Sequence, residues 1–230
     1  MSKKLLRTIL IIVAIIALCV IAYCGWYIWQ YWHGHELGDS LKDNWGGGSE
    51  DITAKSVEIP VDFDSLHEVN PEIYAWIYIP GTDISYPVLQ HDGDNGYYTR
   101  RAEDGNYFTG GCIYSENYNK KDFSDVNVFD EHRYIYIYTP DKMLVYEIFA
   151  AYPFSHRHLL LNYDFTDPAQ FDAFFDDVMY KPGLSSNFMD NVELDGTKDK
   201  ILTLSTCLRG DNQQRYLVQG RLISEIPAKK

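Results

Sequence analysis

Residues 200–207 read Lys200-Ile201-Leu202-Thr203-Leu204-Ser205-Thr206-Cys207, a β-rich run that ends on a cysteine. A second β-rich run extends from Arg215 to Ile223 and begins eight residues after that cysteine. Runs of this composition, separated by polar turn residues, are typical of neighbouring strands. Two neighbouring strand ends bring a thiol and a guanidinium together, so the sequence predicts that Cys207 lies close to Arg215.

Strand signals recur through most of the chain beyond residue 70. Further strands are predicted over residues 73–79, 85–90, 111–114, 133–138 and 143–151. In the fourth of these, Tyr134, Tyr136 and Tyr138 alternate with two isoleucines, which indicates a strand with two different faces. Many short strands at close spacing favour a mostly antiparallel β-barrel over alternating βαβ units.

Two segments depart from the β pattern. Residues 62–69 place Phe63 and Leu66 behind an Asp cap, which predicts a short helix. After Asp167, a proline precedes four apolar residues at helical spacing, Phe171, Phe174, Phe175 and Val178. This pattern predicts an amphipathic helix over residues 168–180. The predicted fold is therefore mostly β, with a few peripheral helices around the barrel.

The N-terminal segment predicts a membrane anchor. Residues 8–32 contain no charged side chain, and the apolar run is long enough to cross a bilayer as a helix. Lys3, Lys4 and Arg7 precede it, and five Trp and Tyr residues cluster at its far end, so we expect the N-terminus inside and the following domain outside. A cleaved signal peptide is the alternative, but no small-x-small site closes the run before the aromatic cluster.

These features divide the chain into four segments. Residues 1–7 form a cytoplasmic tail and residues 8–32 the transmembrane signal anchor. Residues 33–56 lack periodicity and include Gly46, Gly47 and Gly48, so they are predicted to be a flexible spacer. Residues 57–230 form the folded catalytic domain.

Composition limits the possible functions. The chain has 230 residues, of which 46% are hydrophobic, which is enough to pack one core and argues against disorder. Its formal net charge of −13 makes nucleic acid an unsuitable partner. Four cysteines are too few for a disulfide scaffold, and two of them lie in the apolar run. Cys112 and Cys207 are thus the cysteines of the folded part.

The pairing of Cys207 with Arg215 suggests nucleophilic catalysis. A cysteine attacks as thiolate, and a nearby permanent cation favours that form and stabilises an oxyanion. Taken alone, a cysteine such as Cys207 is more often a buried structural thiol. Cys112 is interpreted as a core thiol, with a disulfide to Cys207 left open. Residues 91–96 resemble a calcium loop only in part, because glycine and glutamate are out of register, and a turn is the prediction there.

The sequence around these residues resembles the sortases. Leu204-Ser205-Thr206-Cys207 followed by Arg215 matches the sortase cysteine motif. Four earlier stretches are similar, in order and spacing, to the opening of class B sortases: Val61-Asp62-Phe63-Asp64-Ser65-Leu66, Asn70-Pro71-Glu72, Trp76-Ile77-Tyr78-Ile79-Pro80-Gly81-Thr82 and Tyr86-Pro87-Val88-Leu89-Gln90. The resemblance covers roughly residues 57–225. It implies a sortase barrel of eight strands, with the helix at 168–180 resembling an extra class B helix.

The resemblance also implies an activity. Class B sortases are cysteine transpeptidases that cleave a C-terminal sorting signal of secreted proteins through a thioacyl intermediate and join them to an amine of peptidoglycan. Cys207 is then the nucleophile and Arg215 the oxyanion or substrate clamp. Sorting-signal peptides, a peptidoglycan amine and the cytoplasmic membrane are the implied partners, and the chemistry needs no cofactor or metal.

One family feature is missing. Class B sortases carry a Gly-His-Asn strand end whose histidine is the general acid, and this chain has no such stretch. Val126-Asn127-Val128 resembles the start of that strand, but the chain then continues into Phe129 to Arg133, which resembles sequence found beyond it. His132 is the substitute candidate, against the alternative of an exposed loop histidine. An impaired sortase remnant that binds sorting signals without efficient turnover is therefore the rival prediction, with a soluble cysteine protease a third.

Overall fold

Strands make up most of the domain. The computed structural model describes residues 3–94, 96–116, 119–120, 133–155, 163–164, 167–180, 186–189, 191–208 and 211–229. Its strands are β1 (Ile73–Tyr78), β2 (Ser85–Gln90), β3 (Tyr114–Glu116), β4 (Asn119–Lys120), β5 (Tyr134–Tyr138), β6 (Lys142–Ser155), β7 (Asn187–Phe188), β8 (Ile201–Leu208) and β9 (Asp211–Pro227). Its helices are α1 (Lys3–Leu41), α2 (Phe63–Val69) and α3 (Pro168–Tyr180), and short 3-10 helices cover Lys42–Asn44 and Tyr97–Arg100.

These strands form one curled sheet. In the part of the chain that the structure describes, the order is β4-β3-β2-β1-β5-β6-β9-β8, with β7 paired to β6. All pairs are antiparallel except β2 with β3. The sheet curls so far that the edge strands β4 and β8 contact each other. The predicted mostly β, antiparallel barrel-like fold is confirmed.

The two faces of β5 show how the core is divided. Ile135 and Ile137 pack with residues of neighbouring strands in the interior of the curled sheet. Tyr136 and Tyr138 lie on the opposite face, where they pack against residues that precede β1. The alternation in the sequence therefore separates an inner core from an outer one, as its period of two predicted.

Both helices predicted in the domain are present, and side chains cap each of them. Asp62 accepts a hydrogen bond from the Ser65 backbone amide at 3.1 Å at the start of α2. Asp167 does the same for Ala169 at 3.0 Å at the start of α3. These contacts satisfy amides that have no partner within the helix. The apolar face of α3 packs on β6 and β9 through Phe174 and its neighbours.

Helix α1 is long and apolar at its N-terminal end. One helix in the described part of the chain, Arg7–Asn44, is long and apolar enough to cross a membrane. Its apolar side chains from Ile9 to Ile28 are exposed, as expected for a helix that packs against lipid. This helix is a candidate membrane anchor.

Residues 33–56, which we predict to be a flexible spacer, are packed on the domain in the structure instead. Helix α1 continues through the first nine of them, and Leu41 at its end is buried. Trp45 then forms a bridge with Val61 and stacks on Trp76 with ring centroids 5.9 Å apart. Burial of large apolar side chains gives this segment a fixed position that its glycines and charges did not indicate.

One predicted strand is displaced. Residues 111–113 are not in a strand, and β3 begins only at Tyr114. Gly111 has a φ of +65° and its amide bonds to the Phe108 carbonyl at 3.1 Å, so a turn occupies the start of the predicted strand. The turn directs residues 108–113 towards helix α1.

Candidate active site

The hairpin of β8 and β9 aligns the two residues that the sequence pairs. Cys207 and Arg215 lie directly opposite each other in the register of these antiparallel strands. Positions opposite each other in such a pair are separated by about 4.5–5.5 Å. The structure therefore brings the two positions together at the ends of their strands.

The Arg215 side chain is half-buried. Its Nη1 donates a hydrogen bond to the carbonyl of Gln214 at 3.2 Å. On its other side, β9 pairs with β6, where Phe154 lies opposite Arg215. The guanidinium is thus carried by a strand that is paired on both sides, which fixes its backbone close to Cys207.

A cavity of about 520 Å³ reaches the residue before Cys207. One wall is the C-terminal part of helix α1 and the other is formed by the segment 103–113, β2 and the end of β8. The lining residues are Tyr31, Gly34, His35, Gly38 and Asp39 from α1, and Tyr86, Glu103, Phe108, Gly110, Gly111, Cys112, Ile113 and Thr206 from the domain. Helix α1 therefore forms part of the site's surroundings.

Glycines allow α1 to approach so closely. Gly34 is buried, and a Cβ at this position would overlap the ring of Phe108. The same region of the interface includes a stacked pair, Trp26 with Tyr107 at 6.1 Å, and an ion pair of His33 with Asp104 at 3.1 Å. These contacts hold the helix against residues 104–108.

Glu103 is the buried acid of the cavity. Only 6% of the residue is exposed, and burial raises the pKa of its carboxyl to about 6. The neighbouring Asp104 charge also raises this pKa, while the backbone amide of Glu103 itself lowers it. Among the described residues no cation pairs with this carboxylate, so its negative charge is uncompensated.

We expect Glu103→Gln to stabilise the fold at neutral pH and not in acid. The folded pKa lies above the ordinary 4.5, so the wild-type chain loses stability as the pH rises through about 6. The raised pKa corresponds to a loss of about 2 kcal/mol in the free energy of unfolding at neutral pH. The neutral amide of glutamine avoids this loss. Thermal unfolding of the wild-type and Glu103→Gln chains at about pH 4 and pH 8 measures the effect of the substitution on stability. An equal effect of the substitution at both pH values would contradict this assignment.

Cys112 lies beside Glu103 and carries a free thiol. Burial, and then the charge of Glu103, raise the pKa of this thiol. The thiolate form is therefore disfavoured, and Cys112 fits the core thiol that we predict. Because this thiol is free, the disulfide to Cys207 that the sequence left open is not formed in the structure.

Four of the seven histidines lie in the described part of the chain. His33 contacts Asp104, His67 contacts the Ile73 carbonyl at 2.8 Å, and His91 contacts Glu72 at 2.8 Å. His35 lines the cavity, with its ring 5.3 Å from that of Phe108. His132, the predicted substitute acid, lies outside the described residues, as do His156 and His158.

The residue after His132 is described, and its position bears on that prediction. The Arg133 carbonyl accepts a hydrogen bond from Ile148 at 2.8 Å. Through β6 and β9, Ile148 is level with Leu202 on β8. Leu202 precedes Cys207 by five residues, which is about 16 Å along a strand.

The described part of the site contains no metal centre. No group of three or more His, Cys, Asp or Glu side chains within it is arranged to hold an ion. Asp92 and Gly93 form a turn, with Gly93 at a φ of +92°, where a turn rather than a calcium loop is predicted.

Glu103, His35 and Thr206 are cavity residues that the sequence did not single out. One signal for the α1 wall was available: Tyr31, Gly34, His35 and Gly38 share one helical face at i, i+3, i+4 and i+7. Small residues four apart permit close approach of another segment. The burial of Glu103 had no comparable signal, because carboxylates are usually exposed.

Comparison with known proteins adds independent information. No family model matches the sequence. Sortase B of Listeria monocytogenes is 26% identical over 239 aligned residues, covering 92% of this chain and 95% of that protein. Sortase B of Staphylococcus aureus is 26% identical over 186 residues, covering 70% and 74%.

Solved structures agree with these sequence relatives. Sortase B from B. anthracis gives a TM-score of 0.65 at 21% identity, covering 86% of this chain and 99% of that one. The S. aureus sortase B–substrate complex gives 0.58 at 22%, covering 70% and 84%. A sortase B complexed with triglycine gives 0.57 at 21%, covering 70% and 85%.

The resemblance to class B sortases is confirmed. It rests on sequence relatives aligned over most of the chain and on structural neighbours that share its curled sheet. Sortase B homology supports a place among the sortase transpeptidases.

Proposed function

We propose that this chain is a class B-type sortase, a cysteine transpeptidase. Cys207 attacks the carbonyl of a sorting-signal bond, and the new C–S bond forms as the C–N bond breaks. The leaving amine takes its proton from the general acid, for which His132 is the candidate, and that acid regains the proton that the Cys207 thiol gave up on ionising. An amine of the cell wall then attacks the thioacyl carbonyl and releases the Cys207 thiol. The secreted protein becomes joined to peptidoglycan.

The observation that carries this proposal is the register of β8 and β9. Cys207 lies opposite Arg215, and Thr206, the residue before Cys207, lines a cavity of about 520 Å³ that is large enough for a small substrate. A guanidinium beside a thiol favours the thiolate and offers donors to the oxyanion of the tetrahedral intermediate. Solved sortase B structures include complexes with a substrate and with triglycine, which supports a peptide and an amine as the two substrates.

We further propose that α1 anchors the enzyme in the cytoplasmic membrane with the domain outside. Three basic residues precede the apolar stretch, and Trp and Tyr follow it, which is the pattern of an inside N-terminus. Since the C-terminal part of α1 packs on the domain, the cavity is held near the outer membrane surface.

One experiment tests activity and orientation together. Right-side-out vesicles containing the full chain are given a sorting-signal peptide on the outside. We expect cleavage, together with a thioacyl adduct on Cys207 that hydroxylamine releases and mass spectrometry detects. Cleavage seen only after the vesicles are opened contradicts the orientation. If opened vesicles give no adduct on Cys207, the proposed transpeptidase activity is contradicted.

Arg215→Lys is expected to reduce cleavage by about a hundredfold or more. Lysine keeps the positive charge but loses the planar fork that offers several donors to an oxyanion. The matched control is Arg221→Lys, an arginine on the same strand whose guanidinium pairs with Glu147 at 3.3 Å. An unchanged rate for Arg215→Lys removes Arg215 from the mechanism.

The second candidate function is a sortase remnant that binds sorting signals without efficient turnover. The observation that favours it is the absence of a Gly-His-Asn stretch from the sequence. The two candidates share the anchor, the fold and Cys207. They differ in rate, because the remnant lacks a positioned acid for the leaving amine.

A further inference from the structure

The cavity beside β8 contains a buried acid, Glu103, that pairs with no cation among the described residues. Glu103 has 6% of its surface exposed, and none of the hydrogen bonds or ion pairs among the described residues pairs its carboxylate with a cation. Burying an unpaired carboxylate is costly, and proteins usually compensate it with a cation or by protonation. The fold therefore keeps this acid at an energetic cost.

The carboxylate faces the cavity. A Cβ built at Gly38, another lining residue, would lie 3.6 Å from Oε1 and 4.0 Å from Oε2 of Glu103. Glycine at this position of α1 leaves space beside the carboxylate. Lys42, a basic side chain that contacts two of the lining residues, is held by Asp39 at 3.0 Å and lies over the Tyr86 ring.

The cavity also extends to the strand that carries the proposed nucleophile. Thr206 lines it, and the next residue is the proposed nucleophile. Its volume of about 520 Å³ is in the range of sites that hold small peptides. A cation that binds at Glu103 is thus held in the same cavity as the strand end where a thioacyl group forms.

We propose that this cavity is the binding site of the amine acceptor, where the Glu103 carboxylate pairs with the acceptor's ammonium group and then takes up the proton that the amine must lose before it attacks the thioacyl carbonyl. This inference rests on the proposed function and names the residue that selects the second substrate. A chain with a formal net charge of −13 also attracts cationic peptides to its surface. A metal ion is a poorer occupant, because the described residues provide no cluster of three ligands.

The test uses the full chain in detergent with triglycine as the acceptor. Peptide hydrolysis and transfer to triglycine are measured separately, each over a range of triglycine concentrations. Glu103→Gln should raise the KM for triglycine by about tenfold or more, since one partner of a buried charge pair is lost. The ratio of transfer to hydrolysis at low triglycine concentration should fall by a similar factor, because the lost charge contacts the acceptor and not the sorting signal.

Two controls make the result specific. Glu68→Gln removes an exposed carboxylate on α2 and should leave the KM for triglycine unchanged. N-acetyl-triglycine, which has no ammonium group, should compete weakly with triglycine in the wild type and equally weakly in Glu103→Gln. An unchanged KM for triglycine in Glu103→Gln overturns the proposal.

A binding measurement separates this inference from the proposed function. Calorimetric titration of the full chain with triglycine does not depend on turnover. If no peptide is cleaved but triglycine binds the wild type and not Glu103→Gln, the proposed function fails and the cation site stands. If triglycine binds both proteins equally, or neither, the cation site is overturned.

Discussion

Cys207→Ala is expected to abolish the cleavage of sorting-signal peptides, down to the rate of the peptide alone. No other group in the proposed mechanism forms the thioacyl bond, so the loss should be complete rather than partial. In the proposed mechanism the Arg215 guanidinium, carried by the position opposite Cys207, favours the reactive thiolate form. Peptide cleavage and adduct formation are measured on the same preparations.

Cys112→Ala is the matched control for that experiment. Burial raises the pKa of the Cys112 thiol, so we expect it to stay protonated and to react slowly. A thiosulfonate reagent should therefore label Cys207 first, and Cys112→Ala should keep most of the activity. Activity that survives Cys207→Ala but is lost in Cys112→Ala would show that Cys112, and not Cys207, is the nucleophile.

Much of the fold follows from local patterns. The Asp caps of α2 and α3, the helical spacing of Phe171 and Phe174, and the alternation in β5 each describe interactions within a few residues. Such interactions are encoded in short stretches, so they are readable from one sequence. The start of β3 was harder to predict from the sequence, because it depends on a turn at Gly111.

The continuation of α1 shows what local patterns miss. A spacer was predicted because residues 33–56 lack periodicity and include Gly46, Gly47 and Gly48. Within α1, Gly34 and Gly38 each lower helix propensity by about 1 kcal/mol. The structure compensates through contacts that are distant in sequence, such as Trp26 with Tyr107 and His33 with Asp104. Tertiary contacts of this kind override propensity and leave only indirect traces in the sequence.

The candidate site also combines a local feature, which the sequence predicts, with distant contacts, which it does not. Cys207 and Arg215 were found because a hairpin brings residues eight apart into register. The cavity draws on α1, β2, residues 103–113 and β8, and these come together only in the folded chain. Glu103 in particular is recognisable by its burial, which no spacing of residues reveals.

Two described features bear on His132 in opposite directions. Strand β4 contacts β8, so the chain after Lys120 starts beside the strand that carries Cys207. Against this, Arg133 is level with Leu202, about 16 Å along β8 from Cys207. His132 stays a candidate for the acid, against the alternative of an exposed loop histidine, and a substitution at His132 has to decide between them.

The last prediction concerns the rate of the chain as it stands. A positioned general acid contributes about 10² to 10⁴ in rate, so we expect slow turnover even where Cys207 reacts. A version with a Gly-His-Asn strand and helix from a class B relative grafted after Val128 should gain a factor of that size. If His132 supplies the acid, His132→Ala should lower the ungrafted rate by a similar factor, with His67→Ala, whose ring contacts a backbone carbonyl, as control. Full activity of the ungrafted chain that is insensitive to His132→Ala would show that the missing stretch is dispensable, and that leaving-group protonation comes from elsewhere.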